Sequence, residues 1–556
     1  MKLLLLGGYG VFGGRLVELL RDLVDLEIVI CGRDQDRATA FCDAFQRHAQ
    51  VRPLVLDRKD IAQGLKAQQP DLVVDASGPF QDYGDDRYHV ISACITAKVN
   101  YLDFADAADF VFGVSEFDSA AKAAGVYVLS GVSSFPVLTA AVLRQMAKSM
   151  DIVSVTGGIA PSPYAGIGLN VMRAVVGYAG APVKLHRKGV QIQAVGLAES
   201  MRYTIAVPGR LPLNNIHFSL VDVPDLQVLP PEHPTLKDIW MGAGPVPELL
   251  HRVLNLLAKA RAALKLPSLV PLSGLFYKVL NLMRFGEHRG GMFVHARGLH
   301  NGQAVEQSWH LLAEGDDGPY IPSMAIEAII RKTLTGMPPE TGARPATRAL
   351  DLSDYETLFK TRTIYAGMRE QQSECAPLYR QILGTAFDGL ATPVQALHDS
   401  TKTRRWTGQA HVRRGTNWIA RAIAAVIGFP KAAPDVPVTV TLSPLAKGEL
   451  WTRNFGGKIF SSTQHKGSGK NEYLLVETFG ILSVALALVV DGNRLFLIPR
   501  RWSCLGIPLP RALLPSGQSF ETTRNGNFCF DVEITAPLIG RIVAYRGELR
   551  QVDEPL

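Results

Sequence analysis

The feature that most limits the fold of this chain is a glycine-rich turn close to its first residue. The turn has the spacing GxGxxG, and it lies directly after the apolar run Lys2–Leu6 and directly before a helix-like segment. In that setting glycines permit a tight reversal, let a pyrophosphate approach the backbone, and let the helix pack on the strand. The pattern predicts a dinucleotide site, the alternative being a turn that serves packing alone. Its predicted contact residues are Gly8, Tyr9, Gly10, Val11, Phe12 and Gly13.

The first 145 residues alternate short apolar runs with helical patterns. Strands separated by helices indicate βαβ units and a parallel sheet. The fold class predicted for residues 1–145 is therefore α/β, a Rossmann doubly wound parallel sheet, with a returning helix at about 318–335. The apolar runs are Lys2–Leu6, Leu26–Cys31, Arg52–Leu56, Leu72–Asp75, Tyr101–Phe104 and Val126–Leu129.

The rest of the chain predicts further domains, since 556 residues are too many for one hydrophobic core. Longer β-like runs over 146–317 indicate an α+β substrate domain. Residues 336–374 include a stretch rich in Pro and Gly and are predicted to be a linker. Residues 375–556 become β-rich and are predicted to form a C-terminal domain, in which Asp491-Gly492 marks a hairpin.

The end of the second predicted strand bears on which dinucleotide binds. An NAD enzyme usually places an acidic residue there to hold the ribose 2′-hydroxyl, whereas this chain has Cys31 and Gly32, followed by Arg33 and Asp34. A guanidinium suits a 2′-phosphate because its fork binds two oxygens. We expect NADP rather than NAD, the alternative being that Arg33 is a solvated surface residue. Gly32, Arg33 and Asp34 join the predicted cofactor set, as does Asp57 after the third strand.

Polar residues and a tight loop follow the next two strands, at the sheet edge where open α/β sheets bind ligands. The loop Ser77, Gly78, Pro79 and Phe80 is predicted to lie near the nicotinamide, or else to be an ordinary strand-to-helix turn. At the following strand, Tyr101 is predicted to donate a proton and Asp103 to orient it or relay the proton. Asp106 is a further carboxylate there. The alternative is that Asp103 caps a helix and water supplies the proton.

The charge and the sequence motifs limit the classes of ligand and partner that we expect. The net charge of +7 and pI near 9.0 suit phosphate-bearing ligands or an anionic membrane. No zinc-finger spacing, aromatic RNA-binding signature or long basic run occurs, so nucleic acid is not expected. No metal is expected either, because the histidines lack metal-ligand spacing. The scattered cysteines predict a cytoplasmic protein.

One stretch, Val246–Phe285, mixes leucines with Lys and Arg. Such a segment can lie on an anionic membrane surface, which would place the protein peripherally at the inner face of the membrane. The alternatives are a buried helix pair with a basic side in solvent, or a subunit contact in a homodimer. No membrane-spanning segment is predicted.

Several motifs resemble those of saccharopine-dehydrogenase-like oxidoreductases, over roughly residues 1–350. The later SLVDVPDL and GPYIPSMAIEAIIRKTLTG resemble a bacterial branch of that family, and the region from about 375 resembles a domain of unknown function, with WTRNFGGKIF and RRWSCLGIPLPRALLP as its marks. The resemblance implies NAD(P) use, a Rossmann domain and a mixed substrate domain, but not saccharopine as substrate. The first motifs are GGYGVFGG, CGRD, DASGPF, NYLDFAD and SGVSSFP.

These observations favour an NADP-dependent reductase that transfers hydride to a carbonyl or enoyl carbon of a hydrophobic, lipid- or polyketide-like substrate. The apolar stretch Val246–Phe285 motivates that substrate class. One alternative is an imine reductase acting on an amino acid or polyamine, whose carboxylates would need paired arginines, for which Arg173, Arg202 and Arg289 are candidates. The other is a non-catalytic NADPH-binding scaffold at a membrane.

Overall fold

The protein is described by a computed structural model covering residues 1–45, 49–166, 168–244, 247–283, 285–371, 373 and 375–552. The chain divides into two compact units. The first contains Met1–Arg202 and His217–Ala366, and the second contains Tyr203–Ile216 and Gly367–Leu556. The second unit thus begins near the expected residue 375, but it also includes a short earlier segment that no change of composition marks.

The first unit begins with a parallel sheet that has seven strands within the described residues. The chain starts in the middle of this sheet, moves to one edge and then crosses to the other, which is the doubly wound order of a Rossmann domain. The predicted fold class is therefore confirmed. In spatial order the strands are Gly342–Pro345, Tyr127–Ser130, Asn100–Asp103, Leu72–Asp75, Lys2–Leu6, Glu27–Gly32 and Gln50–Val55.

Residues 336–374 are not the linker that we expected. Gly342–Pro345 pairs in parallel with Tyr127–Ser130 at the edge of the sheet, and the helix Leu352–Phe359 follows. A Pro- and Gly-rich composition misled the prediction because an edge strand tolerates proline, whose missing N–H needs no partner there. Residues 372 and 374 of this range lie outside the described residues.

A mixed sheet follows the Rossmann strands in the predicted substrate region. Its central strand Asp151–Ala160 pairs in parallel with Asp238–Ala243 and antiparallel with Arg289–His300. The predicted returning helix spans Ile321–Leu334 and packs beside Val11–Leu19, where the Ser323 hydroxyl donates to the Phe12 carbonyl oxygen at 3.2 Å. The sheet's strands, in spatial order, are Ser200–Ile205, Leu213–Leu220, Asp238–Ala243, Asp151–Ala160, Arg289–His300, Gln303–Glu314 and Ile364–Glu370. A separate hairpin joins Pro182–Arg187 to Val190–Val195.

Short amphipathic helices connect the strands of the first unit. Those of the Rossmann region are Val11–Leu19, Gln35–Ala44, Ile61–Gln68, His89–Ala97, Ala108–Gly113, Asp118–Ala124 and Thr139–Met146. Those that follow are Leu169–Tyr178, Asp225–Val228, Glu248–Leu264, Ser273–Leu282, Ile321–Leu334 and Leu352–Phe359.

The stretch Val246–Phe285 forms the helices Glu248–Leu264 and Ser273–Leu282, while Val246 and Arg284 lie outside the described residues. The first helix has an unusual distribution of polarity. Its buried side includes His251 and Asn255, whereas Leu249 and Leu256 are each 67% exposed. Among the described helices, none combines the length and apolar character needed to cross a membrane.

The second unit contains a closed antiparallel barrel, which confirms the predicted β-rich C-terminal domain. Ten strands close the ring in the part of the chain that is described, since Leu482–Asp491 pairs with both Leu475–Phe479 and Arg494–Cys504. The short strand Ile507–Pro508 pairs outside the ring. In ring order the strands are Leu482–Asp491, Leu475–Phe479, Lys458–Lys466, Gly448–Phe455, Ala433–Leu445, Arg404–Arg414, Gly540–Gln551, Asn527–Ala536, Ser519–Arg524 and Arg494–Cys504. The helices of this unit are Leu378–Leu383, Thr392–His398 and Trp418–Ile427.

Candidate functional site

The glycine-rich turn is shaped by close contacts that only glycine permits. Gly7 has a φ of +70°, and a Cβ atom there would lie 2.7 Å from the carbonyl oxygen of Ala76. The tight reversal is therefore at Gly7, one residue before the Gly8 that we expected. Gly13 is the close-packing glycine, because a Cβ on it would lie 2.6 Å from the Gly7 carbonyl oxygen.

The helix Val11–Leu19 begins immediately after this turn, with Gly10 as its N-cap. No side chain of the described residues caps its first N–H groups, and no acidic residue lies in its first turn. Unsatisfied N–H groups and the positive end of the helix dipole form an anion site. The turn thus has the geometry of a pyrophosphate site, and contact of Gly8, Gly10 and Gly13 with a dinucleotide stays a prediction.

Tyr9 and Gly32 lie together at the end of the second strand. A Cβ on Gly32 would lie 2.2 Å from the Tyr9 ring, so the ring covers this glycine closely. The Arg37 guanidinium lies 5.0 Å from the centre of the same ring. Asp34 caps the following helix by accepting a hydrogen bond from the Arg37 amide at 3.1 Å. Arg33 is exposed.

Asp57, which we placed in the cofactor set, has a local role in the structure. Its carboxylate accepts a hydrogen bond from the Lys59 amide at 3.0 Å and caps the short helical turn Arg58–Asp60. Its contact with a cofactor stays a prediction.

The loop Ser77–Phe80 lies against the glycine-rich turn, because a Cβ on Gly7 would lie 3.0 Å from the Ser77 Cα. Asp75, buried beneath this loop, accepts the Ser77 amide hydrogen bond at 2.9 Å. The Ser77 hydroxyl is also 2.8 Å from the Tyr83 hydroxyl. These contacts fix the loop at the carboxyl edge of the sheet beside the glycine-rich turn, and its contact with the nicotinamide stays a prediction.

Arg58 and Tyr83 belong to this network, although the sequence did not single them out. The Arg58 guanidinium lies 3.7 Å from the centre of the Tyr83 ring, and its Nε is 3.6 Å from the Asp75 carboxylate. Burial raises the pKa of Asp75, while its hydrogen bonds with Ser77 and the charge of Arg58 oppose that shift. The Asp75 carboxylate, whose charge is partly neutralised by Arg58, thus holds the loop Ser77–Phe80 in place.

Tyr101 does not fit the role of proton donor. Its side chain is 0% exposed, and its hydroxyl has no hydrogen-bond partner among the described residues, Asp103 included. Burial also raises the pKa of this phenol well above its usual value. A catalytic acid must come within hydrogen-bond reach of the substrate, so we correct the assignment and treat Tyr101 as a core residue.

Asp103 holds two loops together at the carboxyl edge. One of its oxygens accepts hydrogen bonds from the Ala105 amide at 3.0 Å, the Gly131 amide at 2.7 Å and the Ser130 hydroxyl at 3.1 Å. The side chain is 0% exposed, and burial raises its pKa to about 7. Asp103 therefore positions the loops that follow the fifth and sixth strands, and it neither orients Tyr101 nor caps a helix.

Asp106 is the half-buried carboxylate of this edge. It accepts a hydrogen bond from the Gln81 side chain at 3.1 Å, which ties the loop after the fifth strand to the loop after the fourth. Burial raises its pKa, and burial likewise raises the pKa of Asp222 to about 6, with the charge of Asp106 contributing. Apart from its place in SLVDVPDL, nothing in the sequence around Asp222 marks it as a functional residue.

A cavity of about 210 Å³ opens beside the start of the helix Val11–Leu19, within the first unit. Apolar side chains and glycines make up most of its wall. Among the described residues that line it, Arg15 carries the one charge, and its guanidinium donates to the Ala165 carbonyl oxygen at 3.0 Å. Its lining includes Val11, Phe12, Ile159, Ala160, Met292, Leu311, Ala313 and Ile321.

The arginines proposed for a carboxylate-bearing substrate are engaged elsewhere. Arg202 forms an ion pair with Glu248, and Arg289 forms one with Glu287. Arg173 is exposed and lies 3.4 Å from the Asn170 side-chain oxygen. None of the three lines the cavity of about 210 Å³. Within the described residues, no cluster of His, Cys, Asp and Glu has the arrangement of a metal site.

Comparisons with known proteins agree with this geometry. Residues 3–129 match the model of the saccharopine dehydrogenase NADP binding domain, and residues 390–549 match a domain of unknown function, DUF4166. No functionally curated protein matches the chain.

Solved structures with similar folds include two dehydrogenases. One is saccharopine dehydrogenase (L-Glu forming) from Saccharomyces cerevisiae, with 12% identity, a TM-score of 0.48, and coverage of 66% of this chain and 99% of that one. Another is an amine dehydrogenase from Mycobacterium smegmatis, with 11% identity, a TM-score of 0.33, and coverage of 63% and 95%. The chain thus combines a region similar to the saccharopine dehydrogenase NADP binding domain, at residues 3–129, with a DUF4166 region at residues 390–549.

Proposed function

We propose that this protein is an NADP-dependent reductase whose substrate presents an apolar, uncharged part to the first unit. The observation that carries the proposal is the cavity of about 210 Å³, which begins at Val11 and Phe12, the first residues of the cofactor helix. A bound nicotinamide supplies hydride, and the residues of this chain position the cofactor and substrate and exclude water.

The preference for NADP over NAD rests on the end of the second strand. Asp34 already caps a helix through the Arg37 amide, so its carboxylate is engaged away from a ribose hydroxyl. Arg33 is exposed next to it, and Arg37 stacks on Tyr9. Two guanidinium groups around Gly32 favour the doubly charged 2′-phosphate of NADP.

The substrate class follows from the wall of the cavity. Its lining is dominated by apolar side chains, and Arg15, which already donates to the Ala165 carbonyl oxygen, is the one charged residue among the described residues that line it. Arg202 and Arg289, which an amino-acid substrate would need, are paired with glutamates. We therefore favour a carbonyl or enoyl group on a hydrophobic molecule, of the lipid or polyketide class, over an imine of an amino acid or polyamine.

We propose Asp106 as the proton source at the carboxyl edge of the sheet; it does not line the cavity of about 210 Å³, so the reacting group of the substrate has to extend from that cavity to this edge. Asp106 is hydrogen-bonded to Gln81, and it is half-buried rather than enclosed. Its raised pKa keeps a larger fraction protonated near neutral pH than an exposed carboxyl would have. Asp106→Asn should leave NADPH binding intact and slow reduction of any accepted substrate.

The cofactor preference provides the direct test. Fluorescence titration of the full chain should give a lower Kd for NADPH than for NADH. Arg33→Asp should raise the NADPH Kd by about tenfold or more, because it replaces a phosphate partner by a repulsive charge. Arg524→Asp, a charge reversal at another exposed arginine, on the hairpin Ser519–Ala536 of the second unit, is the matched control. Equal affinities for NADPH and NADH in the parent protein would refute the NADP preference.

A second proposal concerns the helix Glu248–Leu264. On its inward side the Asn255 side chain donates to the Leu197 carbonyl oxygen at 2.8 Å, and on its outer side Leu249 and Leu256 are each 67% exposed. Exposed Leu249 and Leu256 alongside Lys259 form a surface of apolar and basic side chains. We propose that this surface contacts an anionic membrane, because leucines insert between headgroups while cations attract the lipid charge. A homodimer contact through the same leucines is the competing outcome.

A further inference from the structure

The barrel of the second unit encloses a cavity of about 430 Å³. Side chains of a strand alternate between the two faces of a sheet. In Ala433–Leu445, this alternation directs Val438, Val440 and Leu442 inward, while Thr439 and Thr441 lie on the outer face. The cavity wall is predominantly apolar over most of the ring, with lining that includes Val440, Val484, Leu486, Leu497, Val532, Ile534, Ile542 and Leu549.

One end of the barrel is filled by side chains from two helices. The Tyr379 ring stacks on the His398 ring with centroids 3.5 Å apart. The Tyr379 hydroxyl is bonded to the Gln464 side chain at 3.2 Å, and His398 is bonded to Glu521 at 2.6 Å. These buried, mutually bonded side chains form a closed floor at this end, although His398 Nδ1 has no hydrogen-bond partner among the described residues.

A single ion pair lies in the cavity wall above that floor, among the described residues that line it. Arg453 donates to Glu477 at 3.0 Å and to the Ser462 hydroxyl at 2.8 Å, and its guanidinium lies over the Trp451 ring. Ser462 in turn donates to Glu477 at 2.6 Å. The pair is neutral as a whole, and a guanidinium has five N–H donors, more than these two bonds use.

The opposite end of the barrel has apolar side chains in solvent. The helix Trp418–Ile427 turns Ile423 and Ile427 toward the cavity, where both belong to the lining. Its outer side exposes Trp418 to 77% and Val426 to 88%. Leu538, in the turn between two barrel strands at this end, is exposed as well. An apolar ligand entering here would pass from one apolar surface to another.

We propose that the barrel binds one elongated apolar molecule, an acyl or isoprenoid chain with an uncharged, hydrogen-bond-accepting head group. The volume of about 430 Å³ falls in the range of small-molecule sites, roughly 300–1,000 Å³. Empty apolar volume destabilises a protein in proportion to its size, which favours a cavity that is filled in use. The chain packs against the apolar wall and the head accepts a hydrogen bond from Arg453. This site is separate from the reductase site, and its existence does not depend on the proposed function.

We infer an uncharged head group from the charges of the Arg453–Glu477 ion pair in the cavity wall. Glu477 neutralises Arg453, so a carboxylate head would be transferred from water to a site with no net positive charge. An ester or ketone loses less solvation and still accepts a hydrogen bond from the guanidinium. The barrel should therefore bind an ester more tightly than the free acid of the same chain.

The test uses the fluorescent polyene cis-parinaric acid and its methyl ester, titrated into the full chain. We expect a saturable rise in fluorescence with the ester and at least tenfold weaker binding of the acid. Val440→Trp fills the cavity and should weaken ester binding at least tenfold. Thr441→Trp, one residue away on the outer face of the same strand, is the matched control and should change it by less than twofold.

Val484→Trp, on another strand of the lining, repeats the test in case Val440→Trp impairs folding, and thermal unfolding of each variant identifies that outcome. The proposal is overturned if the ester gives no saturable signal, or if folded cavity variants and the Thr441→Trp control bind it equally. Tighter binding of the acid than of the ester would overturn the uncharged head group. Activity of the reductase site enters none of these readouts.

Discussion

Gly13→Ala examines whether the glycine-rich turn works through close packing, and Gly14→Ala is its control in the same helix. A Cβ on residue 13 would lie 2.6 Å from the Gly7 carbonyl oxygen and 2.8 Å from the Gly8 Cα, both backbone atoms that cannot rotate away. A Cβ on residue 14 would meet the Phe41 ring at 3.3 Å, and the nearest backbone atom outside its own helix would be the Gly8 carbonyl oxygen at 3.9 Å, an ordinary contact. Alanine improves helix propensity at both positions by up to about 1 kcal/mol, so the two variants differ chiefly in the clash.

The expected magnitude follows from those distances. Overpacking of this kind costs about 1–3 kcal/mol, and more where backbone must move, which exceeds the gain in helix propensity. We expect Gly13→Ala to lower the melting temperature and to raise the NADPH Kd by about tenfold or more, because the clash displaces the helix N–H groups that form the anion site. Gly14→Ala should keep the parental Kd and melt at the same or a higher temperature. Thermal unfolding and NADPH titration of both variants measure this, and parental behaviour of Gly13→Ala would refute the packing argument.

Three further outcomes are expected. Tyr101→Phe removes a buried hydroxyl that has no partner among the described residues, so it should raise stability by about 1 kcal/mol in chemical denaturation; a marked loss of stability would reveal a partner for the hydroxyl. The pKa of Asp103 is raised to about 7 from an unfolded value near 3.9, so its contribution lowers the unfolding free energy as pH rises from about 4 to about 7 and is constant above. In Asp103→Asn the melting temperature should therefore depend less on pH between pH 5 and 7 than in the parent protein. An unchanged pH dependence would contradict the raised pKa of Asp103. Liposome flotation at low salt should show binding to anionic vesicles that Leu249→Glu with Leu256→Glu abolishes; a loss of dimers by light scattering, without any vesicle binding in the parent, would favour the homodimer instead.

The cofactor region could be predicted because its constraints are local in sequence. Gly8, Gly10 and Gly13 lie within one turn, and the adjoining strand and helix have clear periodicity, so their meeting point follows from the order of elements. The tight reversal was misplaced by one residue because two adjacent glycines, Gly7 and Gly8, are equivalent in sequence. Only the backbone path past Ala76 distinguishes them.

The features that could not be predicted depend on contacts between residues that are distant in sequence. Tyr101 and Asp103 are two residues apart, so they lie on the same face of their strand. The sequence does not reveal that both side chains on this face are completely buried. Arg58 reaches Asp75 and Tyr83 from another loop, so nothing near Arg58 in the sequence marks it. The barrel cavity was not predicted because alternating apolar residues specify an interior without specifying whether it is full.

The segment 203–216 has a consequence for how this chain acquires its structure during synthesis. Asn214 donates to the Glu472 carbonyl oxygen, a partner 258 residues further along the chain, and the Val490 amide donates to the Gly209 carbonyl oxygen at 2.8 Å. At about 5–20 residues per second, the ribosome delivers these partners roughly 10 to 50 seconds after the segment itself emerges. Leu211 packs against Leu474 and Ala487 in the folded second unit, so its side chain lacks these apolar neighbours until they have been synthesised. Chaperone dependence should therefore be concentrated in the period between these two stages of translation, and a chain ended near residue 360 would keep the segment permanently without its partners.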